Sequence, residues 1–265
     1  MGLPHAELMA TRRGRRLFWA LRLCGEWLTL LSRRVPSMEQ HLGYRHLLID
    51  NQLRRIGPDR VVELGAGLSP RGVEWAADRG VRYHELDLAQ MAAAKQRRLD
   101  RAPAELRARL DGRHSVECQN VLSEDFDAAL AAMLKGARRP AVIAEGVLAY
   151  FEPVDRARLA AAIAGALAGC GGSGTFVCDL FAEDEVAKVA GAMKFLRLMI
   201  RVSARGQGHT AGFRDATEIE RFFGAAGFDS VERLDAADHA REVPELASKF
   251  SPVSVYCATV SGGGA

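Results

Sequence analysis

The spacing of apolar residues changes several times along the chain, and each change marks an element. Leu17, Leu21, Cys24, Leu28 and Leu31 recur at intervals of three and four. That spacing predicts one helix, or two, from residue 6 to about 34, ended by Arg33, Arg34 and Pro36. Leu42, Leu47, Leu48, Ile49, Leu53 and Ile56 predict a second helical segment over 37–57, and Gly57-Pro58-Asp59 is a turn. From there short apolar runs alternate with helical patterns. Strands are expected at 61–64, 82–87, 114–118, 140–144 and 175–179, with helices at 72–79, 89–99, 103–110, 124–134 and 155–168 between them. This alternation predicts an α/β fold with a doubly wound, mostly parallel sheet. A helical apolar stretch at 183–201, a polar loop at 205–209 and a helix at 215–225, closed by Gly227, follow. Strands 228–234 and 252–260 are joined by a charged loop, which predicts an antiparallel pair at one sheet edge. The expected organisation is a helical extension or lid over 1–57, one domain over 58–260 and a flexible tail over 261–265.

The chemistry gathers around the first strand. Val61-Val62-Glu63-Leu64 runs into Gly65-Ala66-Gly67-Leu68-Ser69-Pro70, and a helix begins at Gly72. Gly65 and Gly67 place no side chain at the turn, so a ligand can approach the backbone. The helix behind the turn offers free N–H groups at its start. The next strand ends in Asp87, about 20 residues on, where an acid can take the hydroxyls of a ribose. The arrangement suits a nucleoside cofactor. Pro70 stands where a dinucleotide fingerprint has its third glycine. The plainer alternative is an ordinary strand-to-helix turn beside a surface Asp.

Composition narrows the picture. The 265 residues are 48% hydrophobic, enough for one large core. Lys and Arg number 36 against 33 acids, giving +3 and an isoelectric point near 8.7, so bulk charge gives no reason to expect a nucleic-acid partner. The five cysteines are scattered without C-x-x-C spacing, so neither a zinc site nor a disulfide framework is expected. Cys178 and Cys257 lie in apolar runs and read as buried thiols, consistent with a cytoplasmic protein. Arg12, Arg13, Arg15 and Arg16 precede an apolar stretch, but Arg22 and Glu26 interrupt it. No uninterrupted apolar run approaches the ~20 residues of a membrane span, and membrane association is not expected. The Arg-rich helix reads as packed on the domain, with a lid or a membrane-surface helix as alternatives.

Three segments carry a family resemblance. They are Val61–Leu68, Tyr83-His84-Glu85-Leu86-Asp87-Leu88, and Ile143-Ala144-Glu145-Gly146-Val147-Leu148-Ala149-Tyr150-Phe151-Glu152-Pro153, in this order and spacing. Over roughly residues 37–180 the chain resembles the leucine carboxyl methyltransferase family, which includes polyketide O-methyltransferases. The resemblance implies a seven-stranded class I methyltransferase sheet and S-adenosylmethionine as methyl donor. It implies that Arg45 reaches the donor's carboxylate, Gly65 and Gly67 line its methionine end, and Asp87 holds the ribose. Asn120 and Val121 would face the adenine, and Glu145 would lie beside the amine. Many relatives carry Asp-Leu where this chain has Asn120-Val121; Asn can still bond the adenine amino group through its carbonyl. Glu63, two residues before the first glycine, is the acidic lead usual in such sites.

Methyl transfer from a sulfonium is an in-line displacement, so the protein mainly aligns the acceptor and excludes water. A carboxylate acceptor needs no base at neutral pH, whereas a phenol gains from one. His209 and Arg205 in the polar loop, together with Tyr44, are candidates for handling the acceptor, or are plain surface. Tyr150 lines a methyl pocket or serves as a core aromatic. The acceptor is a small molecule or a peptide carboxylate, and the oligomeric state is open. A nicotinamide-dependent oxidoreductase and a non-catalytic methyltransferase-like binding protein are the competing readings.

Overall fold

The computed structural model describes residues 4–11, 14, 38–184, 212–248, 251 and 253–262. Among them seven strands form one sheet: β1 (Arg60–Leu64), β2 (Arg82–Asp87), β3 (His114–Cys118), β4 (Pro140–Ala144), β5 (Gly174–Leu180), β6 (Ser230–Arg233) and β7 (Ser254–Val260), in the order β3-β2-β1-β4-β5-β7-β6. The first five are parallel. β7 inserts between β5 and β6 and runs antiparallel to both. The late strands are thus the antiparallel pair expected, and the second of them takes the inner position. A dinucleotide dehydrogenase would continue with parallel βα units instead.

Alternate residues of the central strands feed two cores, which is why these strands read as continuous apolar runs rather than half-polar ones. Val62 and Leu64 of β1, Val142 and Ala144 of β4, and Phe176 and Cys178 of β5 face one layer. That layer includes α6 (Phe126–Leu134), α7 (Pro153–Ala168) and α8 (Ala216–Ala226). Val61, Ala141, Ile143 and Val177 face the other, which is built on α2 (Met38–Ile56) and α3 (Arg71–Arg79). Leu48, Ile49 and Leu53 of α2 have no exposed surface; burial of each such side chain stabilises by about 1.5–3 kcal/mol. Leu42, expected in the same apolar set, is 45% exposed.

At the amino terminus one of the two expected arrangements is excluded. The short α1 spans Ala6–Met9 and the chain turns extended at Ala10 (φ −66°, ψ 131°), so no single helix runs on from residue 6. Residues 15–37, which carry most of that expected stripe, lie outside the described residues, as do 185–211. The remaining elements follow the sequence pattern closely: α4 (Ala89–Leu99) and α5 (Ala104–Leu110) before β3, then α9 (Ala236–His239) and a 3-10 turn (Pro244–Ser248) inside the charged loop. Gly80 closes α3 and Gly227 closes α8, both left-handed (φ 69° and 99°). Cys178 and Cys257 are buried free thiols. Among the described residues no helix is long and apolar enough to cross a membrane.

Candidate functional site

The carboxyl ends of β1, β2, β4 and β5 converge where the strand order reverses between β1 and β4, the place at which open α/β sheets bind ligands. The glycine turn sits there. Gly65 (φ 63°) donates to the Leu86 carbonyl at 2.8 Å, and Gly67 (φ 54°) donates to Asp87 Oδ2 at 2.7 Å. Oδ1 of the same carboxylate accepts the Leu88 amide at 2.8 Å. Asp87 therefore shapes the turn as well as presenting an acid beside it. Each of its oxygens keeps a further lone pair for a hydroxyl.

Four residues of α2 line the other side. Their spacing does this: His41 and Arg45, and His46 and Asp50, are each one helical turn apart, and all four are buried. Arg45 Nη1 donates to Asp179 Oδ2 at 2.6 Å. The other oxygen of Asp179 accepts the Gly146 amide at 2.5 Å, so one buried acid on β5 fixes both Arg45 and the loop leaving β4. Arg45 Nε is buried without a hydrogen-bond partner among the described residues and lies 3.8 Å from Glu145 Oε1. Gly146 is left-handed (φ 69°), a conformation that side chains rarely adopt, which accounts for a glycine after Glu145.

Glu145 meets the most buried cation among the described residues. Arg71, the first residue of α3, is 0% exposed. Its Nη2 donates to Glu145 Oε2 at 2.7 Å, its Nη1 to Glu63 Oε1 at 2.7 Å and its Nε to Asp50 Oδ1 at 2.6 Å. Tyr83 donates to the second oxygen of Glu63 at 2.7 Å. Glu63 thus stands behind Arg71 rather than in the open crevice. Burial acts to raise the Glu145 pKa, but Arg71, the His46 ring and Arg45 outweigh it and hold the carboxyl well below the usual range. Asp50 is held at about 2, Arg71 and His46 overcoming its burial.

His46 carries two opposed tendencies. Burial and Arg71 lower its pKa, while Asp50, 3.2 Å from Nε2, and Glu145 raise it to about 9. Arg71 Nη2 also lies 2.9 Å from Nδ1. His41 goes the other way: burial, then the Arg45 charge, push it down to about 3. Its Nδ1 bonds Ser251 Oγ at 2.9 Å.

The structure brings Arg45, Gly65, Gly67, Asp87 and Glu145 to one end of the sheet. Val121 is partly buried and Asn120 exposed on the loop after β3. Asn120 Oδ1 already accepts the Leu122 amide at 3.0 Å in its own turn, so its carbonyl has one lone pair left for an adenine. Tyr150 ends a 3-10 turn (Leu148–Tyr150) and is 46% exposed, so it is not a core aromatic. His209 and Arg205 lie outside the described residues. Sequence reasoning missed Arg71, Asp50, His46 and Asp179. Asp179 left a signal, an acid near the end of a mostly apolar strand that is buried along its whole length.

The residues present fit S-adenosylmethionine. Arg45 has a buried N–H unused, suited to a carboxylate; Glu145 suits an ammonium, and the side-chain-free turn beside Asp87 suits a nucleoside. A profile of the leucine carboxyl methyltransferase family matches residues 4–164, more than half of the chain.

The chain belongs to the leucine carboxyl methyltransferase family.

Solved structures agree on the fold. A protein assigned as an O-methyltransferase from Nostoc punctiforme is 15% identical, with a TM-score of 0.55 over 81% of this chain and 55% of that one. An O-methyltransferase family protein from Burkholderia thailandensis is 15% identical, with 0.56 over 85% and 58%. Human N-acetylserotonin methyltransferase, solved in complex with S-adenosylmethionine, is 15% identical, with 0.50 over 86% and 52%. The chain spans little more than half the length of these structures. No curated protein matches it.

Proposed function

We propose that this member of the family transfers a methyl group from S-adenosylmethionine to an oxygen of a small molecule, a carboxylate or a hydroxyl. The observation that carries the reading is the pairing of Glu145 with Arg45 above the glycine turn. An acid with a depressed pKa and an arginine with an unused buried N–H stand side by side, matched to the two charges of an amino acid end. When bound, S-adenosylmethionine supplies a methyl already activated on a sulfonium. In this reading Arg45 takes its carboxylate, Glu145 its ammonium and Asp87 its ribose, while Asn120 and Val121 border the adenine. Glu63 acts from behind, on Arg71.

The acceptor side follows Glu145. Tyr150 and Val154, 46% and 74% exposed, lie on the same end of the sheet and offer an apolar surface to a ring or chain. A carboxylate acceptor asks only to be held and dried. A hydroxyl acceptor asks for a base, and His209 is the residue proposed for it; His41 is too weakly basic to serve. A peptide carboxylate remains an outcome for the acceptor assay. The oxidoreductase reading gains nothing from the sheet, because β7 breaks the parallel run that such an enzyme would continue.

Calorimetry with S-adenosylmethionine and its demethylated product tests the reading. Asp87→Ala and Glu145→Ala each remove a charged partner, a loss of about 1.5–3 kcal/mol or roughly tenfold to a hundredfold in affinity. A wild-type chain that binds neither compound, or tight NADH binding without response to the sulfonium, would overturn it. Methyl transfer to a panel of small aromatic acids and phenols, read by mass, then sorts the acceptor class.

A further inference from the structure

We propose that Arg71 is a positioning residue of the donor site, which holds Glu145 from behind so that one carboxylate oxygen is presented to the donor's amino group. The proposal rests on the reading of the crevice as a methyl-donor site and adds to it a residue that touches no ligand.

Every part of the argument is geometric. The Arg71 side chain has no exposed surface and uses Nε, Nη1 and Nη2 on three carboxylates from three different elements, Asp50 of α2, Glu63 of β1 and Glu145 after β4. Glu145 spends Oε2 on Arg71 at 2.7 Å. Its Oε1 has no hydrogen-bond donor among the described residues, with Arg45 Nε 3.8 Å away. Arg71 therefore decides which oxygen faces the crevice. Its backbone sits just past the glycine turn, where its amide bonds Ser69 Oγ at 3.2 Å, so the turn and Glu145 are coupled through one side chain. A lysine could not do this, because a single ammonium cannot span three acceptors lying around one plane.

A buried ion network is weak evidence of stability, because desolvating a guanidinium and three acids can cost more than their pairing returns, and apolar replacements are often neutral or better. What the network does do is hold one oxygen of Glu145 in place. Further charged groups bear on Glu145 from around it: Arg45, His46 and Asp50 from α2, with His41 one turn before Arg45, and Asp179 of β5 through Arg45. Arg71 is the largest influence keeping it ionised against burial.

The test is donor affinity by calorimetry from pH 5 to pH 8, in wild type, Arg71→Met, Arg71→Lys, Glu145→Gln and the double variant Arg71→Met/Glu145→Gln. Wild-type affinity is expected to vary little over this range on account of Glu145. Arg71→Met should bind at least tenfold more weakly at pH 5 than at pH 8, since Glu145 now takes up a proton there. Arg71→Lys should recover part of that loss. Glu145→Gln should be weak at every pH, and the double variant no weaker than Glu145→Gln. A uniform loss across pH in Arg71→Met, or additive losses in the double variant, overturns the proposal. If Arg71→Met does not fold, Glu63→Gln and Asp50→Asn loosen Arg71 while leaving Glu145 in place, and unchanged donor affinity in both overturns it equally. Failure of the wild type to bind donor at all sinks the functional reading instead.

Discussion

Gly65→Ala and Gly67→Ala separate two costs that the turn avoids. Both glycines are left-handed, with φ of 63° and 54°. An alanine held there costs about 1–2 kcal/mol. At Gly67 that is the whole expected cost, because nothing lies within 4 Å of the position a Cβ would take. At Gly65 the Cβ would come within 2.5 Å of Val147 Cγ2. Overpacking of this kind adds about 1–3 kcal/mol. Urea denaturation should therefore show Gly65→Ala losing about 2–5 kcal/mol against about 1–2 for Gly67→Ala. Val147→Ala opens the space, so it should return about 1–3 kcal/mol in the Gly65→Ala background and nothing in the Gly67→Ala background. Val147 is two residues past Glu145, so Gly65→Ala should also weaken donor binding, and Val147→Ala should restore part of it. Equal stability losses at the two glycines would refute the reasoning. So would a coupling with Val147 below about 0.5 kcal/mol.

Asp179→Asn keeps the shape but removes the charge that fixes Arg45; a loss on the order of 3 kcal/mol in stability is expected together with weaker donor binding. Unchanged affinity by calorimetry would take Arg45 out of the carboxylate-binding role. His41 predicts an acid limb: burial and Arg45 hold it near 3, so as pH falls below its ordinary 6.5 the unfolded chain takes a proton that the folded one refuses. Stability should drop on the order of 3 kcal/mol between pH 6.5 and 4, and His41→Asn should remove much of that slope in a melting-temperature series. His84 and His239, also lowered by burial, keep the remainder. Gly72→Ala would set its Cβ on the Glu85 carboxylate, which pairs with Lys95 and faces His114 in the interior. It should unfold at lower denaturant than Gly67→Ala, and equal midpoints would mean that the Glu85 cluster yields freely.

What the sequence disclosed was whatever is built from neighbours in the chain. The strand, turn, helix and second strand around Gly65 lie within 30 residues, and turn chemistry, apolar runs and the closing acid are all local. Gly67 and Asp87 then meet through one hydrogen bond, as a strand ending about 20 residues on allows. The order of the last two strands was less open to reading. A charged loop without a long helix signals an antiparallel pair, but which strand lies inside depends on β7 pairing with β5 along its whole length. The break at Ala10 leaves no glycine or proline in the sequence to announce it.

The polar half of the site was hidden for a different reason, and the reason suggests what to look for. Arg71 reads as an ordinary basic residue at a helix start, and its partners come from positions 8, 21 and 74 residues away, so no spacing discloses it. The acids, however, stand out once the strands are known to be covered on both faces. Glu63 and Glu85 are paired across β1 and β2, side by side in the interior, where their mutual repulsion and desolvation forbid leaving either unpaired. Each must be met by its own cation, and the helix that follows each strand supplies it: Arg71 on α3 for Glu63, Lys95 on α4 for Glu85. On β1 and β2 the acid at a core position is thus met by a base on the next crossover, whereas Asp179 of β5 takes Arg45 from α2. Only the first of these two pairs reaches onward to Glu145, and that extra contact is what places it in the donor site proposed above.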